Sequence, residues 1–411
     1  MAGRIILKPG RDKPVLAHHP WIFSGAIARA IDASEGDTVE IFDAGEHWLA
    51  RGYYNPSSQI AVRIWTWRRE EEIDRAWLRR RLEHARAMRE TFVDPAESNA
   101  YRVVNAESDW LPGLIVDRYA DFLTVQFLTL GIEKWKADLV ELLEEMFRPQ
   151  GIYNRSDVDV REKEGLTQQV ELLAGAAPPE EVEIREDGLR FLVDVKQGHK
   201  TGFYLDQREN RRRAARYLGS LNATRLGAKL QGLGPLVLNV FSYTGAFGVY
   251  ACRENAGTRV VNLDASEEAL RLARENMRIN GLEMHGEYVQ GDAFQLLRRY
   301  RDERRTFDAI ILDPPKFVYS HSQLTSGLRG YKDINLLAFK LLNPGGLLVT
   351  FSCSGLVNAD LFQKVVFEAA VDAGRDAQIM AKLLQAPDHP ILLSFPESEY
   401  LKGLLCRVPD F

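Results

Sequence analysis

The sequence predicts a multidomain α/β protein that ends in a doubly wound, mostly parallel sheet. The chain has 411 residues, which is more than one hydrophobic core usually supports. Its first part contains short strand candidates separated by Gly, Pro and Asn, a pattern typical of a small barrel or sandwich. After about residue 190, apolar strands alternate with amphipathic helices, which indicates parallel strands joined by helices.

Two domains are predicted before that sheet. Residues 1–68 contain the strand candidates RIILK, DTVEIFD, HWLARGYY and QIAVRIWTW. Residues 69–190 form an α+β domain that opens with the helix candidate EEEIDRAWLRRRLEHARAMRETF, whose apolar residues recur at helical spacing. It continues with the strands LPGLIVDRY and FLTVQFL and the helix IEKWKADLVELLEEMF. Asp187-Gly188, between VEIRE and LRFLVDV, predicts a β-hairpin near residues 182–195.

Residues 191–411 are predicted to hold a seven-stranded, mostly parallel sheet. Its strand candidates are PLVLNVF, RVVNLD, GEYVQ, FDAIILD, GGLLVTF, AQIMAKLL and YLKGLLCRV. The helix candidates between them are GAFGVYACREN, SEEALRLARENMRING, DAFQLLRRYRDE, INLLAFKLL and DLFQKVVFEAAVDAG. In such a fold a ligand is expected at the carboxyl ends of the strands.

Cysteine usage and hydropathy exclude several classes of protein. Cys252, Cys353 and Cys406 are widely spaced, without CxxC or Cys/His clusters, which argues against a disulfide framework and against a metal site. The N-terminus lacks the apolar core of a signal peptide, and no run approaches the roughly 18 apolar residues of a membrane helix. We therefore expect a cytoplasmic protein with no membrane partner.

Two basic segments are candidates for contact with RNA phosphates, although the net charge of the chain is −5. Residues 1–30 contain five basic side chains and one acid. Residues 196–229 contain nine basic side chains and two acids, with interleaved aromatic residues that suit stacking on bases. A solvated charged surface is the alternative for both segments. The candidate RNA-binding residues are Arg4, Lys8, Arg11, Lys13, Arg208 and Arg212.

Three consecutive strand ends of the last domain carry residues suited to a nucleoside. The first strand runs into NVFSYTGAFG, in which Gly245 and Gly248 keep the last two glycines of a dinucleotide-binding loop. Asp264 ends the second strand, where a carboxylate can accept hydrogen bonds from ribose hydroxyls, and Asp292 follows the third. Each acid alone could equally cap the next helix. Together the three positions favour a nucleoside-type cofactor.

The fourth and fifth strands end in further candidates. Two prolines after Asp313, in ILDPPKF, hold the backbone extended and remove amide donors, so carbonyls and the carboxylate can face a planar substrate. Lys316 follows as either a phosphate or thiol partner or an ordinary surface lysine. Cys353, in FSCSGL, is either a small core residue or a nucleophile at the rim of an active site.

These motifs resemble those of known enzymes. Asp-Pro-Pro after the fourth strand, with an antiparallel hairpin closing the sheet, resembles the class I S-adenosylmethionine-dependent methyltransferases. In order along nearly the whole chain, HPWIFSGAI, LPGLIVDRY, GFYLDQR, NVFSYTGAF, ILDPPKF, RGYKDIN, FSCSGL and YLKG resemble the ribosomal RNA large subunit methyltransferase I family. The resemblance implies an N-terminal PUA-like RNA-binding domain, a central domain and a Rossmann-like methyltransferase domain. It also implies formation of 5-methylcytosine in 23S ribosomal RNA, either free or in a large-subunit precursor particle, and leaves a homodimer open.

The same resemblance implies roles for individual residues. Cys353 corresponds to the nucleophile of the family's F-S-C-S motif, whose thiolate adds to C6 of cytosine and makes C5 nucleophilic. Asp313 would bind the N3/N4 edge of the flipped cytosine, and Lys316 would assist catalysis. S-adenosylmethionine would be held by Phe241, Tyr243, Thr244, Gly245, Asp264, Asp292, Asp313 and Gln207.

Two departures and three alternatives stay open at this point. Pro315-Lys316 stands where two-cysteine RNA methyltransferases carry a second cysteine, so the base that removes the C5 proton is unassigned. Asn239 stands where many methyltransferases place an acid. The alternative functions are an RNA guanine-nitrogen methyltransferase without a covalent thiol, an NAD-dependent oxidoreductase, and a noncatalytic RNA-binding assembly factor.

Overall fold

A computed structural model of the chain describes residues 3–221 and 234–410. It contains two compact units. The first unit comprises Met1–Gly188, Val193–Leu205 and Pro387–Ser398, and the second comprises Leu189–Leu192, Asp206–Ala386 and Glu399–Phe411. Arg225 and Lys229, two members of the second basic segment, lie outside the described residues.

The first unit begins with a six-stranded mixed sheet in the order β2-β6-β5-β4-β1-β3. Alternation of apolar and polar residues forms its core, as in TVEIF, where Val39 and Ile41 are buried and their neighbours are partly exposed. The short strands β2 and β3 were not predicted, whereas the other four were. The elements are β1 (Gly3–Leu7), α1 (Lys13–Leu16), β2 (Trp21–Ile22), β3 (Ile27–Ile31), β4 (Thr38–Phe42), β5 (Trp48–Tyr54) and β6 (Val62–Thr66).

A helix and a five-stranded sheet follow. Asp74 caps α2 (Arg75–Glu90) by accepting a hydrogen bond from the Trp77 amide, and the helix buries one apolar face. The segment predicted as one helix over 132–147 forms two helices, α3 (Leu130–Glu133) and α4 (Lys136–Phe147). The sheet has the order β11-β10-β9-β8-β7, formed by β7 (Ala100–Asn105), β8 (Leu114–Tyr119), β9 (Phe122–Phe127), β10 (Gly151–Ser156) and β11 (Gln169–Gly175).

The predicted hairpin is present as β12 (Val182–Glu186) and β13 (Leu189–Val193), which form a two-stranded sheet. Its two turn residues both have left-handed backbone, with φ of 52° at Asp187 and 75° at Gly188. Two positive φ values are what a two-residue type I′ turn requires, and Asp-Gly adopts them readily.

The second unit is built on a seven-stranded sheet in the order β16-β15-β14-β17-β18-β20-β19. Strands β14 to β18 are parallel, and β20 is antiparallel to both of its neighbours, which confirms the predicted Rossmann-like arrangement. The strands are β14 (Leu236–Val240), β15 (Arg259–Asp264), β16 (Gly286–Gln290), β17 (Phe307–Leu312), β18 (Leu342–Ser352), β19 (Gln378–Leu384) and β20 (Lys402–Arg407).

Amphipathic helices connect these strands. The helix predicted over INLLAFKLL begins earlier, at Leu324, because the glycines of SGLRGY lie against the loop before it rather than breaking the helix. The helix that opens the unit lies in the basic segment and was not predicted. The helices are α5 (Arg208–Gly219), α6 (Ala246–Glu254), α7 (Glu267–Ile279), α8 (Ala293–Asp302), α9 (Leu324–Leu341) and α10 (Ala359–Asp372). No helix within residues 3–221 and 234–410 is long and apolar enough to cross a membrane.

One buried carboxylate joins separate elements of the first unit. Glu164 is 1% exposed, and its oxygens accept hydrogen bonds from Ser58 Oγ at 2.8 Å, Arg63 at 2.8 Å and Asn55 Nδ2 at 3.1 Å. Arg63 also lies 3.7 Å from Glu107. Because every donor is itself nearly or fully buried, removing the charge of Glu164 would leave polar groups that water cannot reach.

We expect Glu164→Gln to lower the free energy of unfolding of the first unit by about 3 to 5 kcal/mol, the usual cost of breaking a buried ion pair. All seven tryptophans, from Trp21 to Trp135, belong to this unit, so urea unfolding followed by tryptophan fluorescence reports on it. Glu46→Gln is the control, because Glu46 pairs with Arg4 and Arg29 at the surface. Equal urea midpoints for the two variants would contradict the expectation.

Candidate active site

The parallel sheet brings the chemical motifs to one edge. Strands β14 to β18 end at Val240, Asp264, Gln290, Leu312 and Ser352. Because parallel strands share their carboxyl edge, the loops that follow them lie along that edge. These loops carry the predicted cofactor residues of the first three strands, and then Asp313 and Cys353.

The loop after β14 has an unusual backbone. Phe241, Tyr243 and Gly245 have φ values of 58°, 46° and 76°, a left-handed conformation that costs energy for the two residues with a side chain. Asp264 holds this turn, since its Oδ2 accepts a hydrogen bond from the Tyr243 amide at 2.8 Å. The Ser242 amide donates to the carbonyl of Leu263 at 3.0 Å. The predicted loop and the predicted aspartate are therefore in direct contact.

This loop has the features that a nucleoside cofactor needs. A Cβ at Gly245 would lie 2.9 Å from Ala273, so a glycine at this position lets the turn pack closely against α7. The hydroxyls of Ser242 and Thr244 are buried and have no hydrogen-bond partner within the described ranges of the chain. Asp264 accepts two backbone amides, from Tyr243 and Ser266, and its oxygens keep lone pairs for ribose hydroxyls. The residues present fit a nucleoside cofactor.

Other predicted cofactor residues have structural partners. Asp292 caps α8 by accepting a hydrogen bond from the Gln295 amide at 2.9 Å, the capping arrangement that an aspartate after a strand commonly adopts. The Thr244 carbonyl accepts a hydrogen bond from Asn276 Nδ2 at 2.9 Å. Phe241 is partly buried and packs against the core of the second unit. Cofactor contacts by these residues stay predictions.

Asp313 contacts a residue that the sequence places far away. Gln207 Nε2 donates to Asp313 Oδ2 at 2.9 Å, and Asn210 Nδ2 donates to Gln207 Oε1 at 2.6 Å. Gln207 and Asn210 are both 2% exposed, so their amide groups are held in one orientation. Asp313 is half-buried. The start of α5 thus fixes the carboxylate that follows β17.

Cys353 lies in a turn that two buried serines hold. Ser352 and Ser354 are fully buried, whereas Cys353 between them is half-buried. Ser354 Oγ accepts a hydrogen bond from the Val318 amide at 3.3 Å and lies 2.9 Å from the Tyr331 hydroxyl. Ser354 therefore ties the loop after β18 to the loop after β17 and to α9, and the cysteine side chain is the accessible one of the three.

Sequence reasoning missed Tyr331 and Lys402. Lys402 is 3% exposed, and its Nζ donates to the carbonyls of Ser354 at 2.9 Å and Val357 at 2.7 Å. A sequence signal for both residues exists, because Tyr331 belongs to RGYKDIN and Lys402 to YLKG, two of the motifs that carry the family resemblance. No sequence pattern gave a reason to expect that Lys402, a lysine in a strand, is buried.

The two remaining cysteines belong to the core. Cys252 is 1% exposed and Cys406 is 2% exposed. Burial raises the pKa of each thiol to about 12. Cys252, in a helix candidate, and Cys406, in the last strand candidate, are predicted from the sequence to be core residues, and their burial confirms this. Such a high pKa leaves little thiolate, the form that attacks.

Lys316 and the predicted RNA-binding residues differ in accessibility. Lys316 is half-buried, and its Nζ lies 5.3 Å from the centre of the Tyr319 ring. Lys8, Arg11 and Lys13 are exposed. Arg208 is 3% exposed, in contrast to its neighbour on α5, Arg212, which is partly exposed and lies 3.6 Å from Glu209. Arg4 pairs with Glu46 at 3.0 Å and lies over the Phe42 ring.

Comparison with known proteins identifies the class. The family model of the S-adenosylmethionine-dependent methyltransferases matches residues 160–394, and that of the PUA-like domain matches residues 5–67. A SAM-dependent methyltransferase from Streptococcus mutans has a similar structure, with a TM-score of 0.82, 20% identity, and coverage of 99% of this chain and 100% of the other. Another methyltransferase structure, complexed with S-adenosylhomocysteine, has a TM-score of 0.83 at 19% identity, covering 99% and 100% of the two chains. The protein is an S-adenosylmethionine-dependent methyltransferase.

Curated relatives are similar along nearly the whole chain. A protein of Shewanella denitrificans named ribosomal RNA large subunit methyltransferase I is 50% identical over 99% of this chain and 100% of its own length. The protein of that name from Klebsiella pneumoniae is 47% identical over 98% of both. The chain belongs to the ribosomal RNA large subunit methyltransferase I family.

We expect iodoacetamide at pH 8 to modify Cys353 in the native protein at least roughly 100-fold faster than Cys252 or Cys406, because burial keeps those two thiols protonated. Peptide mass spectrometry over time measures the three rates. In urea the three rates should become similar. Early modification of either core cysteine in the native protein would contradict the assignment.

We expect Asp264→Ala to weaken binding of S-adenosylmethionine by about 10- to 100-fold, since it removes a ribose acceptor and releases the strained turn at Tyr243. Isothermal titration calorimetry measures the dissociation constant. Asp302→Ala is the control, because Asp302 is an exposed residue at the end of α8 in the same unit. An unchanged dissociation constant in Asp264→Ala would exclude this role.

Proposed function

We propose that the protein transfers a methyl group from S-adenosylmethionine to C5 of a cytosine in 23S ribosomal RNA, with Cys353 as the nucleophile. The observation that carries the proposal is the placement of Cys353. It is the accessible thiol of the three, at the carboxyl end of a strand in the methyltransferase sheet, in a turn that buried contacts hold. The names of the 47% and 50% identical relatives support ribosomal RNA of the large subunit as the substrate.

The chemistry explains why a cysteine is needed. C5 of cytosine is a weak nucleophile, and it becomes an enamine carbon when a thiolate adds to C6. Bound S-adenosylmethionine supplies an electrophilic methyl group at its sulfonium. The Cys353 sulfur forms a bond to C6, which breaks the C5–C6 double bond and leaves electron density at C5. C5 then bonds to the methyl carbon while the bond from that carbon to the sulfonium sulfur breaks and leaves its electron pair on that sulfur. The C5 proton leaves to a base, the C5–C6 double bond re-forms, and the bond between the Cys353 sulfur and C6 breaks. Cys353 is thereby returned as a thiolate.

Asp313 and Gln207 are suited to hold the base. The Asp313 carboxylate can accept a hydrogen bond from the cytosine amino group and stabilise a protonated N3 as C6 is attacked. Gln207 orients this carboxylate through the 2.9 Å hydrogen bond, and Asn210 orients Gln207. In this proposal Gln207 orients Asp313, the residue that would bind the cytosine. A direct contact between Gln207 and the cofactor stays a prediction.

The remaining assignments concern RNA and cofactor. We propose that the PUA-like domain of residues 5–67 binds RNA, with the exposed Lys8, Arg11 and Lys13 contacting phosphates. The cofactor would be held by the turn at Phe241 to Gly245 and by Asp264. The substrate would be free 23S ribosomal RNA or a large-subunit precursor particle in the cytoplasm. A homodimer stays a prediction that analytical ultracentrifugation tests.

The covalent mechanism is tested with 23S ribosomal RNA transcribed with 5-fluorocytidine. Fluorine cannot leave C5 as a proton does, so after methylation Cys353 should remain bonded to C6. We expect an RNA–protein adduct that survives denaturing electrophoresis, with the crosslinked peptide containing Cys353. Cys353→Ser should give no adduct and at least a roughly 1,000-fold loss of methyl transfer to unmodified RNA.

Cys406→Ser is the matched control, because Cys406 is a buried thiol in the same sheet, and it should keep both the adduct and methyl transfer. Nucleoside mass spectrometry identifies the product as 5-methylcytidine. Methylated guanosine, or methyl transfer retained by Cys353→Ser, would show that the covalent cytosine mechanism is wrong.

A further inference from the structure

Lys402 is a buried cation beside the turn that carries Cys353. The residue is 3% exposed, and its two hydrogen-bond acceptors are the carbonyls of Ser354 and Val357. Within the part of the chain that the structure describes, no carboxylate lies within ion-pair distance of its ammonium. A lysine is almost never fully buried unless an anion pairs with it.

The surroundings of Lys402 leave its charge uncompensated. Two neutral carbonyls replace part of the hydration of an ammonium but do not neutralise it. Burial accordingly lowers the pKa of Lys402, whereas Cys353 and Glu399 raise it and Lys316 lowers it further. Tyr331, which also faces the turn, stays neutral because burial raises its pKa. Of the two groups that favour the ammonium, Cys353 lies within the turn that Lys402 binds.

The sheet fixes where Lys402 lies. Strand β20 pairs antiparallel with β18, and the register places Lys402 opposite Ser352, the residue before Cys353. The pairing continues without a break to Leu347 opposite Arg407. A shift of one residue would turn the Lys402 side chain to the other face, so this register is what directs the ammonium toward the turn.

Building on the proposed function, in which Cys353 is the nucleophile, we propose that Lys402 is a positioning residue whose ammonium holds the Cys353 turn and favours the thiolate form of Cys353. Opposite charges stabilise each other, so the thiolate also completes the environment of the buried ammonium. The same charge assists both ends of the reaction. It raises the fraction of thiolate that can form the bond to C6, and it stabilises the thiolate that leaves when that bond breaks.

The test is the pH dependence of Cys353 alkylation by iodoacetamide, followed by peptide mass spectrometry. Lys402→Met replaces the ammonium with an apolar group of similar length. We expect the midpoint of thiolate formation to move up by about 1 to 3 pH units, as loss of an adjacent opposite charge predicts. The rise of methyl transfer with pH should move by the same amount. A purely structural role would lower activity at every pH and leave the midpoint unchanged.

Lys382→Met is the matched control. Lys382 is an exposed lysine on β19, the strand next to β20, and it should keep the parent midpoint. Lys402→Arg keeps a cation at the site. Its midpoint for Cys353 alkylation should therefore lie closer to the parent midpoint than that of Lys402→Met. An unchanged midpoint in a folded Lys402→Met protein would overturn the proposal.

A second measurement covers the case in which Lys402→Met does not fold. In Cys353→Ser the thiolate is absent, so by reciprocity the Lys402 ammonium should lose its proton at lower pH than in the parent. NMR of protein with ¹³C- and ¹⁵N-labelled lysine follows this titration. An identical Lys402 titration in the two proteins would overturn the proposal.

These measurements separate the two proposals. Alkylation and NMR require neither RNA nor methyl transfer, whereas the 5-fluorocytidine adduct tests Cys353 as the nucleophile. Adduct formation with an unchanged Lys402→Met midpoint would reject the role of Lys402 alone. Absence of the adduct, with a shifted midpoint, would reject the covalent cytosine mechanism and leave the effect of Lys402 on the thiol standing.

Discussion

The antiparallel pairing of β20 with β18 is the constraint on which the candidate active site depends. It places a buried lysine opposite the last residue of the strand that leads into Cys353. The lysine binds two carbonyls of the turn, and Ser354 connects the same turn to the preceding loop and to α9 through Val318 and Tyr331. A cysteine that follows a strand directly would be mobile without such contacts. Here several buried hydrogen bonds define its position.

On the predicted cofactor side of the site, a left-handed turn is held by hydrogen bonds to a neighbouring strand. The turn at Phe241 to Gly245 takes up a left-handed backbone that its side chains disfavour, and the strain is balanced by hydrogen bonds to β15. Asp264 is central because one carboxylate both organises this turn and keeps acceptor capacity for a ribose. Asp264 at the strand end thus has a role in local folding, and its predicted contact with a ribose would use the same carboxylate.

The three cysteines differ in burial. Cys252 and Cys406 pack in the core of the second unit, where burial raises the pKa of each to about 12. Cys353 is half-buried, and the Lys402 ammonium donates a hydrogen bond to the carbonyl of the next residue, Ser354. Desolvation disfavours a thiolate and a nearby ammonium favours it, so the reactivity of a thiol depends on the surroundings that the fold gives it. A cysteine count from the sequence carries no such distinction.

Local patterns in the sequence determined most of the fold. Apolar periodicity identified the strands of the parallel sheet and most of its helices, because period 2 and period 3.6 follow from backbone geometry alone. Asp187-Gly188 identified a hairpin for the same local reason. Strand ends also marked the candidate residues Asp264, Asp313 and Cys353. The glycine-containing start of α9 was missed because it depends on the loop that packs against its glycines. The division between α3 and α4 was also missed.

The contacts that organise the site were decided by tertiary structure. Gln207 reaches Asp313, and Lys402 reaches the turn of Cys353, across long separations in sequence. Such contacts follow from strand order and register, which no local pattern encodes. Burial of a charged side chain is likewise a property of the assembled sheet. By itself the sequence determined which residues could react, and only the packing of β20 against β18 decided which charged side chain binds the turn that carries Cys353.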